Sequence, residues 1–333
     1  MVSLSFIMEK CMKNNMIILA VALIAFGTSA AYASRDTIRI VGSSTVYPFT
    51  TAVAEQFGKT SGAPTPVVES TGTGGGIKLF CAGVGDEHPD AVNASRPMKD
   101  SEAETCKSNG VTTTEVKIGY DAIVIAMAKE HEDMNLTKDD IYRALAKFVI
   151  IDGEVVENPY KTWKDVNPAL PDGKIEVLGP PPTSGTRDSF VELVMEKACK
   201  AAIKANELTV TEDEEKSMCK SMREDGAFIE AGENDTLIIQ KLQNNPNALG
   251  IFGYSFLEES SSTVKGATVD GIAPEYDAIK AGKYTISRPL FVYFKNEHFD
   301  VIPNLKEFME EYQSEDAIGE EGYLTEKGLI SLN

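Results

Sequence analysis

Two hydrophobic periods alternate along this chain beyond residue 36. Short β-branched runs predict strands at 37–41 (TIRIV), 66–69, 91–94, 174–178 (KIEVL) and 249–252 (LGIF). Two longer apolar runs, 122–128 (AIVIAMA) and 289–294 (PLFVYF), predict strands buried on both faces. Between them, apolar residues recur every three or four positions, which predicts amphipathic helices at 48–57, 77–82, 102–106, 189–200, 236–242 and 303–312. A further helix starts at Thr137, with Asp140 three residues on as a capping box and Ile141, Leu145 and Phe148 on its apolar face. The charged stretch 212–220 predicts a solvated helix, 254–257 opens another, and 325–330 closes the chain with a last one. The stretch 161–171 is turn-rich. Such alternation predicts an α/β fold.

The first 33 residues break this pattern. Lys10 and Lys13 precede an apolar run of about ten residues at 17–26, too short to span a membrane. Ala31-Tyr32-Ala33 has the small-x-small form of a cleavage site, so the expectation is a removed signal peptide, a mature start at Ser34 and a periplasmic protein. Cys11 lies before the apolar run and is not placed to be a lipoprotein cysteine.

Charge and cysteines narrow the function classes. The 333 residues carry 32 cationic and 51 anionic side chains, a net charge of −19; without residues 1–33 it is −20. So acidic a chain argues against nucleic acid and anionic membrane as partners, and any anion it holds must be held by short-range donors. Cys81, Cys106, Cys199 and Cys219 remain after cleavage, an even count that in an exported chain predicts two disulfides. Of three possible pairings, the local one, Cys81–Cys106 and Cys199–Cys219, is expected, because each bridge then encloses one stretch of one lobe. His88, His131 and His298 are isolated and no C-x-x-C occurs, so neither a metal nor another cofactor is expected.

The candidate chemistry lies in three Gly/Ser/Thr clusters, each running into a helical pattern: Gly42-Ser43-Ser44-Thr45-Val46-Tyr47-Pro48, Ser70-Thr71-Gly72-Thr73-Gly74-Gly75-Gly76 and Pro182-Thr183-Ser184-Gly185-Thr186-Arg187-Asp188. A helix N-terminus presents unpaired N–H groups at the positive end of the dipole, and small hydroxyl residues add donors without obstructing approach. Any one cluster is equally consistent with a plain helix cap; three together point to a cradle for a small oxyanion. The second cluster lacks the third glycine of a dinucleotide fingerprint and the Gly-Lys-Ser/Thr ending of a P-loop, and no G-x-S-x-G elbow exists. No nucleophile–base pair is evident, so an enzyme is not expected. Arg96, in Asn93-Ala94-Ser95-Arg96-Pro97, follows a predicted strand and would emerge at the carboxyl edge of a sheet, where α/β proteins bind ligands.

These residues resemble the phosphate-binding protein family of high-affinity phosphate ABC transporters. The likeness spans essentially all of the mature chain and rests on residues 42–48, 72–78, 94–97, 119–126, 184–190 and 286–294, the Ser-Gly-Thr-Arg-Asp run at 184–188 being the most specific. It implies a two-lobed periplasmic-binding-protein fold of type II with two crossovers, each lobe a mixed sheet flanked by helices. The expected division is signal 1–33, lobe I 34–122, lobe II 123–261, and a return crossover with the rest of lobe I at 262–333. By the resemblance, a monomer captures inorganic phosphate between its lobes and delivers it to a membrane permease. Carried over by position, Thr45 and Val46, then Thr73 with Gly74 beside it, then Ser184, Gly185 and Thr186 match the family's anion contacts; Ser44 and Ser95 are further candidates, and Arg96, with Arg187 second, is the expected positive donor.

The chain also departs from the family pattern. Arg96 stands where some members have a phosphate-binding aspartate, and Pro180 where they have an arginine. A carboxylate acceptor would favour protonated phosphate over sulfate; with arginine at 96, Asp121 is the expected acceptor and Asp188 the second. The competing expectations are a receptor for sulfate or another tetrahedral anion, an exported phosphatase on the same cradle, and a surface or adhesion scaffold.

Overall fold

The computed structural model describes residues 35–232 and 234–332, so the expected signal segment and its cleavage site lie outside the described residues. Nine strands form one curled mixed sheet: β1 Arg39–Gly42, β2 Val67–Ser70, β3 Ala91–Ala94, β4 Thr113–Ala128, β5 Val177–Gly179, β6 Phe228–Glu230, β7 Leu249–Gly253, β8 Val264–Gly266 and β9 Ser287–Lys295. Their order is β2-β1-β3-β9-β4-β7-β5-β6, with β8 also on β4. β1 is parallel to β2 and β3, β9 is antiparallel to both β3 and β4, and β7 is antiparallel to β4 but parallel to β5.

β4 joins the two halves of this sheet. Its first ten residues pair with β9 and its last five before Ala128 pair with β7. The sequence changes character at the same place: partly exposed positions up to Asp121 give way to the unbroken buried run from Ala122 to Ala128, covered on both faces. The expected strand at 122–128 is therefore the second half of one 16-residue strand.

The core divides as the sheet does. Ile40, Val53, Phe57, Ile118, Leu290, Phe294 and Phe308 pack in one cluster on the first half, with a smaller one around Val41, Phe80 and Val92 on its other face. A larger cluster fills the second half, from Ala122 through Phe190 and Phe252. The stretch 262–286, expected with the return segment, packs here through Val264, Val269, Ile279, Tyr284 and Ile286, and Ile330 returns to the same cluster after β9.

Helices cover both faces. α1 is Tyr47–Ser61, α2 Thr73–Phe80 and α3 Asp100–Ser108. α4, Lys138–Leu145, carries the expected Thr137/Asp140 capping box. It stops short of Phe148, because Asp152 and Gly153, at φ 52° and 81°, turn Phe148–Ile151 back on Glu154–Glu157 as a hairpin. Gly185–Phe190, a π-helical turn Val191–Met195 and Glu196–Ala205 run on as one helix, α5. α6 is Glu212–Lys220, α7 Asp235–Asn244 and α8 Leu305–Tyr312. The helix expected at 325–330 is a single 3-10 turn, Thr325–Lys327: Gly328 at φ 95° ends it, and Ile330 bridges to Tyr120. Both disulfides take the local pairing, Cys81–Cys106 tying the end of α2 to α3 and Cys199–Cys219 tying α5 to α6. Among the described residues no helix is long and apolar enough to cross a membrane.

Candidate functional site

Strand direction sets where the clusters meet. β1, β2 and β3 end at Gly42, Ser70 and Ala94, on one edge of the first half. β4 runs the same way, then continues into the second half, where β5, β6 and β7 run against it. The carboxyl ends of both half-sheets therefore converge on the point where β4 crosses, beside Asp121. That edge is the ligand crevice of open α/β sheets.

On the first half, close packing and open approach are separate jobs for the glycines. Gly42, at φ 130°, would put a Cβ 2.2 Å from the Asn93 carbonyl oxygen, and Gly76 would put one 2.5 Å from the Gly42 Cα. Those two seat α2 on the end of β1. Gly74 is exposed and a Cβ there would meet only Arg96 Nη2, at 4.0 Å, so it leaves the α2 N-terminus accessible. Thr73 Oγ1 lies 3.0 Å from Ser95 Oγ and accepts the Ser95 amide at 3.2 Å, which joins the second cluster to the Ser95-Arg96 turn. Arg96 is not a free cation. Its Nη1 and Nη2 each donate to one oxygen of Glu102 at 2.8 Å, and Nη1 also donates to the Pro97 carbonyl. This fork raises the Arg96 pKa and lowers that of Glu102.

Across the cleft, Ser184 caps α5, its Oγ accepting the Thr186 amide at 3.2 Å. The third cluster faces the first: a Cβ on Gly185 would lie 3.5 Å from the Ser44 carbonyl oxygen and 3.7 Å from the Thr45 Cα. The Val46 amide points at Ser43 Oγ, 3.4 Å away, within its own loop. Arg187 lies over the Phe228 ring at 4.4 Å and donates to the Pro180 carbonyl, and its burial lowers its pKa. Asp188, the second acceptor candidate, is exposed in the first turn of α5.

Between the clusters lies a group that the sequence alone did not single out as one unit. Arg288, on β9 directly opposite Asp121 of β4, is 6% exposed. Its Nη2 donates to Thr45 Oγ1 at 2.7 Å and Ser189 Oγ at 2.8 Å, its Nη1 to Glu192 at 2.6 Å, and its Nε faces Asp121 Oδ2 at 3.5 Å. The Ser189 hydroxyl is 2.9 Å from both Asp121 Oδ2 and the Gly185 carbonyl, and 3.2 Å from Thr45 Oγ1. Asp121 thus sits at the crossing as expected, already engaged by a hydroxyl and a guanidinium. Arg288, Ser189 and Glu192 were missed. One signal was present: Ser287-Arg288-Pro289 repeats the Ser95-Arg96-Pro97 tripeptide.

Beside this group Ser44, Arg187, Asp188, Glu192, Glu196 and Lys220 line an open cavity of about 570 Å³. A larger one, about 640 Å³, lies among Glu130, Trp163, Lys174 and Asn245 at the far edge of the second half-sheet, away from every cluster. Among the described residues no group of three or more His, Cys, Asp or Glu side chains is placed to hold a metal ion.

The fold agrees with known proteins. Residues 27–316 match the model of the PBP superfamily domain. The chain is 30% identical to Protein SphX of Synechococcus elongatus over 286 residues, 84% of this chain and 74% of that one. It is also 30% identical to the phosphate-binding protein PstS of Staphylococcus saprophyticus over 274 residues, 80% of this chain and 73% of that one. The chain belongs to the PstS-like phosphate-binding proteins. Among solved structures, a possible phosphate-binding protein from Planctomyces limnophilus superposes with a TM-score of 0.70 at 27% identity, over 89% of this chain and 93% of that one. An ABC-type phosphate transport receptor from Vibrio cholerae, 22% identical with a TM-score of 0.57 over 88% and 99% of the two chains, shares the fold. The PstS-like chain is therefore a type II periplasmic-binding-protein fold, its two half-sheets joined at β4 and β9.

Proposed function

We propose that this PstS-like chain is an exported receptor that captures inorganic phosphate between its two half-sheets and presents it to the permease of an ABC transporter. The observation that carries the proposal is the approach of Gly185 to Ser44 and Thr45, which sets the α5 N-terminus against the first-half loop. Thr45, Thr73, Gly74, Ser184, Gly185 and Thr186 supply hydroxyl and amide donors at contact range. The first N–H groups of a helix have no partner within it, so they bind an anion without an added positive charge. That suits a chain of net charge −19, because neutral donors act locally where the long-range field repels.

Phosphate at neutral pH carries a proton and sulfate does not. The charged groups at the crossing are one guanidinium, Arg288, and two carboxylates, Asp121 and Glu192. A carboxylate surplus repels an anion that has no proton to offer and accepts a hydrogen bond from the P–OH of one that has. Val46 and Arg187, whose polar groups are turned to Ser43 and Pro180, are secondary to this set.

The test is calorimetric titration of the ligand-stripped protein from residue 34 with phosphate, sulfate and a phosphomonoester. The expected result is phosphate binding at micromolar concentration or tighter, about −8 kcal/mol or better, with sulfate weaker by at least about tenfold. Tight binding of sulfate alone would overturn the phosphate assignment, and turnover of the ester would overturn the receptor.

A further inference from the structure

We propose that Arg288 is a positioning residue that acts on the anion through the Thr45 hydroxyl and, with the same guanidinium, latches the two half-sheets together. The inference rests on the phosphate reading and adds to it the group that makes Thr45 a directed donor.

Proton accounting leads to this role. A threonine hydroxyl has one hydrogen and two lone pairs, whereas a guanidinium only donates. Arg288 Nη2 gives one N–H to Thr45 Oγ1 and the other to Ser189 Oγ. Ser189 keeps its own proton for Asp121 or the Gly185 carbonyl, both at 2.9 Å. Thr45 Oγ1 therefore accepts from the cation and has its own proton left to donate. Within the protein its oxygen neighbour is Ser189 Oγ at a long 3.2 Å, already an acceptor for Arg288. A bound anion is the stronger acceptor. A hydroxyl that accepts from a guanidinium is polarised and donates more strongly. Without Arg288, Thr45 Oγ1 loses the donor that fixes its lone pairs, and its proton is free to turn to Ser189 Oγ instead of the cleft.

The charges explain why the effect is relayed. Arg288 is buried between Asp121 and Glu192, so it brings no net positive charge to the anion. What reaches the anion is the orientation of Thr45. The same guanidinium holds Thr45 on the first half and Ser189 and Glu192 on α5, so the donor is set only when the two halves are together. Capture and closure then share one hydrogen-bond group.

A double-mutant cycle on inorganic phosphate tests this, with Thr45→Val and Arg288→Met measured singly and together by calorimetry. Each single change is expected to weaken phosphate about 30-fold or more, as for a lost hydrogen bond to a charged group. The double variant should bind only about threefold worse than Thr45→Val alone, the share of the latch to Ser189 and Glu192, because Arg288 has no hydroxyl to direct once Thr45 is valine. If the losses multiply, Arg288 acts independently of Thr45 and the inference is wrong. The same cycle with Arg288→Lys keeps a cation between Asp121 and Glu192, so it gives an answer even if Arg288→Met does not fold. Glu192→Gln is expected to speed phosphate release about threefold with association unchanged, as for a weakened polar contact; unchanged release would remove the latch. A wild-type protein that binds no phosphate would instead sink the phosphate reading itself.

Discussion

Arg96 and Arg288 stand in the same tripeptide, Ser-Arg-Pro, at the same crevice, and the fold uses them differently. Arg96 follows the end of β3 and turns to Glu102 at the start of α3, on its own half of the sheet, with 28% of its side chain exposed. Arg288 opens β9, beside the strand that crosses between the halves, and is closed over by residues from both. The difference teaches that the tripeptide does not set the role. Position relative to β4 does: one arginine closes a local salt bridge at the rim, the other ties two half-sheets at their junction. Both are matched by carboxylates, so the crevice offers hydrogen-bond donors with little net positive charge.

The largest expected effect comes from breaking the buried arrangement. Asp121→Asn keeps an oxygen for Ser189 but removes the charge facing Arg288. The charge-assisted contacts of Asp121 with Ser189 and Arg288 weaken while Glu192 still pairs the guanidinium, a loss of up to about 3 kcal/mol, read by denaturant unfolding. The carboxylate surplus also falls, so the preference for phosphate over sulfate should narrow by about tenfold, roughly 1.4 kcal/mol. If stability and both affinities are unchanged, Asp121 is neither the partner of Arg288 in solution nor a proton acceptor.

A further carboxylate sharpens the contrast, because it is buried at the same edge with an amide rather than an arginine for a partner. Asp235 opens α7, is 7% exposed and accepts the Gly253 amide at 3.2 Å; burial pushes its pKa to about 6. The folded pKa lies above the unfolded value of 3.8, so the native state holds the proton more tightly. Its contribution to stability is complete below pH 4 and is lost as the pH rises through 6. Over that window the wild type should lose up to about 3 kcal/mol relative to Asp235→Asn. Parallel stability–pH curves for the two proteins would show that Asp235 titrates normally.

Much of the fold was legible because its signals are local. The run at 122–128 and the Thr137/Asp140 box each specify their element through nearest neighbours. The cluster loops were legible for the same reason. What was not legible needed tertiary geometry or a signal left unread. The Asp152-Gly153 hairpin belongs to the second kind: the dipeptide is a turn signal, but an apolar period running from Ile141 to Phe148 outweighed it. Ser189 and Glu192 belong to the first kind, and Arg288 to both, since its Ser-Arg-Pro repeat was there to read but its partners were not. Ser189 and Glu192 lie one turn apart on α5 and read as ordinary helix positions until β9 brings Arg288 against them. The partner of Arg96 was not legible either, since Glu102, six residues on, reaches it only after the chain turns into α3.

Two smaller changes test the rim arginine. Glu102→Gln should cost about 1 kcal/mol or less, as expected for a partly exposed pair, far below Asp121→Asn. It frees the Arg96 guanidinium, so sulfate should bind several-fold tighter, with the phosphate preference reduced. Losses equal to those of Asp121→Asn would erase the distinction between the two arginines. The smallest effect on stability is expected from Gly74→Ala. The site has an ordinary negative φ and open space, so alanine in α2 should leave stability the same or raise it by up to about 1 kcal/mol. Gly76→Ala, two residues further along the helix, would drive a Cβ to 2.5 Å from the Gly42 Cα and should be markedly less stable. The informative readout for Gly74→Ala is phosphate affinity at unchanged melting temperature. A methyl 4.0 Å from Arg96 Nη2 stands where an anion would approach the α2 amides, so affinity should fall about tenfold, the equivalent of one hydrogen bond. Unchanged affinity would move the anion off α2 and leave the Thr45 and Arg288 side of the crevice, with the α5 N-terminus, to hold it.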